Sequence, residues 1–368
     1  MNEMSTLNRD NSLTDFFRRD INAQQLLNHK GISIISILMT YRCPAACAHC
    51  IFESNPQNKT HLDMDIARKV VEAASRQSPP PVLGFSGGEA FVRYKEMREL
   101  AAFGQSLGMP SEVISSSAWA TSRSQAKEKL LDLRSVGFEA YCTSVDEFHI
   151  PFIKPEKMRW ALQGARDAGL DARINVQVSS ERSARAKADI ISRLSEILSI
   201  PESEVAEFEI NPLITTPVGR ARKEVTEFYY DDSKDMREGC PMATEIVTIS
   251  PKGLLYPCCG MVVGEDPEKA GLFIQDNLQD KSVDEIAEML DALKEDLFFK
   301  LLQYFGPYRI LQELKRRDPS IEISDHYVGS CDVCLEFTSQ EQIADATCEL
   351  LADLGEVLNQ RAGMELTA

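Results

Sequence analysis

From residue 32 to about 213, short runs of β-branched and apolar residues alternate with longer stretches whose apolar positions recur every three and four residues. The runs predict strands at Ser33–Met39, Val82–Ser86, Glu112–Ser116, Glu139–Ser144, Ala172–Val178 and Val205–Ile210. The periodic stretches between them predict helices near Asp63–Ser75, Tyr94–Leu107, Arg123–Val136, Pro155–Ala168 and Glu181–Leu198. A βα unit repeated in this way builds a parallel sheet, because each helix carries the chain back to start the next strand in the same direction. Six such strands predict an α/β fold whose core is a partial (β/α)6, TIM-like barrel over residues 31–214.

The pattern breaks after that. Residues 215–239 are polar, carry both charges and lack periodicity, which marks a linker. Beyond it, Glu245–Ser250 and Leu254–Tyr256, joined by Pro251-Lys252-Gly253, read as a hairpin, and helices follow over Val283–Phe299 and Ser339–Leu358. Residues 240–368 therefore read as a small α+β domain, and residues 1–30 as an N-terminal extension with no compact fold of its own. A chain of 368 residues is long enough for two such units.

Charge narrows the partners. With 40 basic and 57 acidic residues the formal charge is −17, which repels nucleic-acid backbones and anionic membranes and leaves small molecules or peptides. The first 20 residues mix acids and bases without a hydrophobic stretch, and the apolar run Ile32 to Met39 is too short to cross a bilayer. The expectation is a cytoplasmic protein, where thiols stay reduced, so its ten cysteines point to metal or redox chemistry rather than disulfides.

Those cysteines cluster. The first strand runs into Cys43-Pro44-Ala45-Ala46-Cys47-Ala48-His49-Cys50. Three thiolates in one short loop can hold three irons of a cubane and leave the fourth open to another ligand. A structural zinc would want a fourth donor, and His49 is the local candidate. In a parallel βα fold, ligands bind at the C-terminal strand ends, and these ends carry Ser86-Gly87-Gly88-Glu89, Ser115-Ser116-Ser117, Ser144-Val145-Asp146 and Asn175. The glycines allow close backbone approach, Glu89 can receive an ammonium group, and the hydroxyls and Asp146 suit polar ligand groups. The bland reading of Ser116 and His149 is strand capping or a satisfied core polar group. Nearer the C-terminus, Cys240, Cys258, Cys331 and Cys334 supply four thiolates, enough for a closed [4Fe-4S] cluster or a tetrahedral zinc. Cys142 and Cys348 read as buried core thiols. Cys259 follows Cys258 directly, and strand alternation would turn it the opposite way, toward the barrel mouth, where a thiol can donate a hydrogen atom; it also remains a spare thiol or an alternative ligand to Cys258.

The three-cysteine loop resembles the signature of the radical S-adenosylmethionine (SAM) superfamily, in which the open iron chelates the methionine end of SAM. The resemblance implies a [4Fe-4S] cluster on Cys43, Cys47 and Cys50. It implies SAM contacts at Gly87, Gly88 and Glu89, which match the family's GGE motif, and at Ser116, Ser144, Asp146 and Asn175. Two positions depart from the pattern: His49 stands where an aromatic residue is usual, and Ser116-Ser117 where Asn-Gly is common. The C-terminal cysteines resemble the Twitch domain, a shortened relative of SPASM, and imply one auxiliary [4Fe-4S] cluster on Cys240, Cys258, Cys331 and Cys334. The motif order, including Asp146-Glu147-Phe148-His149-Ile150-Pro151-Phe152-Ile153-Lys154 and Tyr256-Pro257-Cys258-Cys259, is similar to Twitch-type radical SAM peptide epimerases over about residues 33–340. That implies a precursor peptide as substrate, an electron donor such as flavodoxin or ferredoxin, and conversion of L- to D-residues with Cys259 as hydrogen-atom donor. An alcohol dehydrogenase of the same type and a peptide-crosslinking enzyme are the alternatives.

Overall fold

The structure is a computed structural model that describes residues 31–179, 187–228, 238–259, 273 and 276–365. The expectations for residues 1–30 and for the start of the helix at Glu181 lie outside these residues.

Among the described residues, one nine-stranded sheet organises the fold, in the order β6-β5-β4-β3-β2-β1-β7-β8-β9. The first six strands are β1 (Ile34–Leu38), β2 (Val82–Ser86), β3 (Ser111–Ser115), β4 (Phe138–Ser144), β5 (Asp171–Val178) and β6 (Glu209–Ile214), and each pairs in parallel with the next. The α/β barrel architecture expected from the alternation is therefore present. Strand β5 shows how the pattern produces it. Ala172, Ile174, Val176 and Val178 are buried, while Arg173, Asn175 and Gln177 alternate with them on the other face. Full burial of each of the larger apolar side chains contributes about 1.5–3 kcal/mol.

The sixth strand starts four residues later than the sequence pattern suggests. Pro201 precedes a helical turn at Glu202–Val205, whose acidic residues Glu202 and Glu204 sit in the first turn, where the helix dipole favours them. That turn takes Val205 out of the strand. Pro212 is tolerated within β6 because this strand pairs only with β5 and forms a sheet edge.

The hairpin of β7 (Ile246–Ile249) and β8 (Leu254–Tyr256) forms as expected, but it does not stand apart. β7 pairs in parallel with β1, so the hairpin and the short β9 (Asp276–Asn277) extend the barrel sheet. Beyond them the single predicted helix over 283–299 is two. Val283–Glu295 begins with a Ser282–Glu285 capping box, and Asp296 then caps a new helix by accepting from the Phe298 and Phe299 amides. This second helix, Leu297–Arg317, breaks at Gly306 (φ 75°, ψ 159°) before Pro307. One turn before the break, the Leu302 carbonyl accepts from the Cys240 amide at 2.8 Å. The terminal helix, Glu341–Glu365, buries Ile343, Thr347, Leu350 and Leu354. Cys348 falls beside that stripe and is exposed, which corrects its reading as a core thiol, whereas Cys142 is buried in β4. None of the described helices is long and apolar enough to cross a membrane.

Gly306 occupies backbone space that only glycine adopts without strain, and a Cβ there would strike the Glu238 carbonyl. Gly306→Ala is expected to destabilise the chain by about 1–3 kcal/mol in urea unfolding, from the strain alone. Unchanged stability would contradict this account of the kink.

Candidate functional site

The start of the cysteine loop is held mainly by backbone. Where β1 ends, the Thr40 carbonyl accepts from the Gly88 amide at 2.6 Å, and the Arg42 carbonyl accepts from Glu89 at 3.0 Å. Thr40 Oγ1 in turn accepts from the Arg42 amide at 2.9 Å, and Cys43 N donates to the Asn55 carbonyl at 3.1 Å. The contact needs both glycines. A Cβ on Gly87 would stand 2.5 Å from the Thr40 oxygen, one on Gly88 2.5 Å from the Arg42 oxygen, and Gly87 also has φ +124°.

Cys43, Cys47 and Cys50 line one cavity of about 220 Å³ with Gly87, Gly88, Ser116, Ser144 and Asn175. Five of the seven cofactor-binding candidates therefore share a space with the three thiols, at the C-terminal ends of β2 to β5. His149 and Gln177 line it as well. Burial foremost pushes the Cys43 thiol up to about 12, and burial together with the neighbouring Cys43 and Cys50 sulfurs pushes Cys47 up further. Cys43 and Cys47 are therefore poor thiolates in the bare protein, and a bound cation reverses that balance, since a coordinating thiol is deprotonated outright. The donor set thus fits an iron–sulfur cluster.

His49 packs between Phe148 and His149, with ring centroids 4.9 and 4.8 Å away. Its Nδ1 is buried without a partner among the described residues, and burial pushes the ring down to about 4. A donor atom from each of Cys47, His49 and His149 lies within 4.8 Å of the others, a second metal-capable grouping that shares Cys47 with the first. The imidazole foreseen as a local zinc donor is therefore close enough for that role.

Glu89 and Asp146 stand behind the cavity wall. The Glu89 carboxylate is buried and accepts from Phe91 N at 3.1 Å, Ser115 Oγ at 2.9 Å, Ser116 N at 2.8 Å and Ser116 Oγ, which ties β2 to β3. An ammonium group reaching it would share oxygens already in use. Burial would raise the Asp146 carboxyl, but His149, whose Nδ1 lies 2.8 Å from Oδ1, holds it below its ordinary value. Asp146 also accepts from the Phe148, His149 and Gln177 amides. The departure at Ser116-Ser117 has a structural counterpart: Ser117 keeps the left-handed φ of +67° natural to glycine, and its hydroxyl bonds to Tyr141 at 2.8 Å and Thr143 at 2.7 Å.

One residue of the loop's support escaped the sequence reading. Arg220, assigned there to a linker, donates from Nη1 to the Cys47 carbonyl at 2.8 Å and from Nη2 to Ser54 at 2.7 Å. Only Gly219 beside it offered a signal; its φ is +56°, and a Cβ there would strike the Ile51 carbonyl.

The second group of thiols meets in an apolar cavity of about 80 Å³. Cys240, Cys258, Cys259, Cys331 and Cys334 all line it, walled by Phe273, Phe299 and Leu302. Burial, then the other four sulfurs, push Cys334 well above its ordinary value. Five thiols around an apolar hollow fit a closed cluster, for which four suffice. Cys258 and Cys259 do not part to opposite sides, as strand alternation led us to expect. β8 ends at Tyr256, so both cysteines lie in a bend where alternation no longer applies. Of the five, Cys259 is the exposed one.

No family model matches the chain. It is 26% identical over 316 residues, covering 84% of this chain and 93% of the relative, to the putative peptide biosynthesis protein YydG of Bacillus subtilis strain 168. It is 31% identical over 140 residues to Fe-coproporphyrin III synthase of Methanosarcina barkeri strain Fusaro, covering 38% of this chain and 32% of that one. Among solved structures, anSMEcpe with bound AdoMet aligns with a TM-score of 0.50 at 12% identity, over 88% of this chain and 98% of the other, a likeness of fold. The partial barrel and the motifs in their order are similar to those of radical SAM proteins.

Gly88→Ala pushes the turn off the cysteine loop. The variant, reconstituted anaerobically, is expected to hold about half the iron of the parent protein, the loop cluster being lost. Equal iron would show that the loop does not need the close approach.

Proposed function

We propose that this chain is a peptide epimerase that acts through SAM, with Cys43, Cys47 and Cys50 holding the catalytic [4Fe-4S] cluster and Cys240, Cys258, Cys331 and Cys334 an auxiliary one. The observation that carries the reading is the fifth thiol. Four ligands complete a closed cluster and five cysteines line the cavity, so one thiol is left over beside it, which we assign to Cys259. The name of the YydG relative supports a peptide substrate. A cluster held by Cys43, Cys47 and Cys50, with SAM on its open iron, would supply a 5′-deoxyadenosyl radical able to take the α-hydrogen of an L-residue. The remaining steps belong to the chain.

Gly87 and Gly88 let the backbone come close to SAM, Ser116, Ser144 and Asn175 offer it hydrogen bonds, and Glu89 and Asp146 hold the strand ends that carry these groups. An α-carbon radical between two amide groups is planar, so the face that meets the hydrogen donor decides the product. Cys259 gives its S–H hydrogen from the face opposite SAM, which forms the D-residue. One electron from a small carrier such as a flavodoxin or ferredoxin and one proton from solvent then restore the thiol; Cys240, Cys258, Cys331 and Cys334 would hold a cluster able to pass that electron. A small electron carrier such as a flavodoxin or ferredoxin reduces the catalytic site.

The test is incubation with SAM, reductant and a peptide substrate in D2O, read by mass spectrometry and chiral amino-acid analysis. The expected product carries a D-residue and is heavier by about one mass unit, because a thiol exchanges its hydrogen with solvent. Cys259→Ala is expected to keep cleaving SAM while forming no D-residue. A product that has lost hydrogen, or D-residues from the alanine variant, would contradict the assignment.

A further inference from the structure

Arg220 is the cation of the catalytic site that the reaction scheme leaves without a task. It follows β6 and reaches back across the barrel mouth to the cysteine loop. Its guanidinium donates to the carbonyls of Cys47 at 2.8 Å and Ser54 at 2.7 Å, and its own amide donates to the Cys50 carbonyl at 3.1 Å. Three hydrogen bonds thus tie one residue to the segment that contains two of the three thiols. The side chain is 11% exposed, and its carboxylate neighbour, Glu224, lies at 3.9 Å and is half exposed. The positive charge is therefore spent on neutral carbonyls and countered only loosely by an anion in contact with solvent.

A guanidinium stays protonated throughout the accessible pH range, so this is a fixed charge. Its field bears on both the Cys43 and the Cys47 sulfurs. A cluster that gains an electron gains one unit of negative charge, and a fixed cation in a poorly solvated wall favours the reduced form more than the oxidised one. Arginine suits this place better than lysine for the clamp, since its planar fork serves two carbonyls at once, but either residue provides the charge.

We propose that Arg220 is a positioning residue that clamps the cysteine loop and, by its charge, raises the reduction potential of the cluster held by Cys43, Cys47 and Cys50. The inference rests on those three cysteines being the cluster ligands. It does not depend on which peptide is modified or on Cys259. It also explains why a polar segment outside the barrel strands carries a left-handed glycine pressed on the Ile51 carbonyl: Gly219 lets the chain come close enough for Arg220 to reach.

The test compares the intact protein with Arg220→Gln and Arg220→Lys after anaerobic reconstitution, by iron content and by redox titration of the EPR signal that changes when SAM is added. In Arg220→Gln the one-electron reduction equilibrium is expected to weaken by about tenfold, a downward shift of about 59 mV. Arg220→Lys is expected to stay near the parent potential. An unshifted potential in a fully loaded Arg220→Gln overturns the proposal, as does an equal downward shift in both variants. If Arg220→Gln holds no loop cluster, the lysine variant decides: retention of the cluster at the parent potential supports the role of charge, and loss from both makes Arg220 a structural clamp only and overturns it. An intact protein with no SAM-responsive signal would instead refute the cysteine-loop assignment.

Discussion

The contact on which the site depends is between two stretches of backbone. Thr40 to Cys43 and Gly87 to Glu89 lie so close that each glycine would put a Cβ 2.5 Å from a carbonyl of the other stretch. Because no side chain intervenes, the geometry of the thiol loop follows directly from the register of β1 and β2, which pair from Ile34 and Val82 to Leu38 and Ser86. A loop positioned by sheet register has little freedom, which is what a site needs if a reactive group must stand at a set place relative to its target. The carboxylates behind the wall extend the same logic. Glu89 fastens β2 to β3 and Asp146 fastens the loop after β4 to β5, so the ends of the strands that face the cavity move together.

The two thiol groups are built by opposite means. The loop cysteines face a cavity with hydroxyl, amide and imidazole groups on its other walls, the surroundings of a site that takes a polar ligand. The C-terminal cysteines close on a small apolar hollow, brought together by a bend after β8, by the helical turn Ser330–Cys334 and by a helix that breaks at Gly306. Their elements are far apart in sequence, and the Leu302 carbonyl, one turn before the kink, seats Cys240. The hairpin that presents Cys258 continues the sheet from β1, so both thiol groups are tied to the same strand.

Much of this was legible in the sequence. Alternation of apolar runs with three- and four-residue periodicity was enough for the barrel, because each strand buries one face against helices. The first five strands fall within a residue or so of where the pattern puts them. Cysteine spacing made the loop conspicuous, and the glycines after β2 suggested a close approach. What stayed hidden depends on contacts across the chain. The shift of β6 follows from a helical turn begun at Pro201, and the bend at Cys258-Cys259 removes an alternation that the hairpin pattern would continue. Arg220 looks like any charged linker residue until folding places it 2.8 Å from the Cys47 carbonyl. Cys348 misses the buried stripe of its helix by one position, a difference that periodicity read to within a residue does not resolve.

The central claim is that one chain holds two iron–sulfur clusters on separate sets of thiols. Iron and sulfide analysis of the anaerobically reconstituted protein, beside a Cys43/Cys47/Cys50→Ala variant and a Cys331/Cys334→Ala variant, tests it most directly. The account predicts about eight irons per chain in the parent protein and about four in each variant, as two cubanes require. About four in the parent, or zinc in place of iron in either variant, would contradict it.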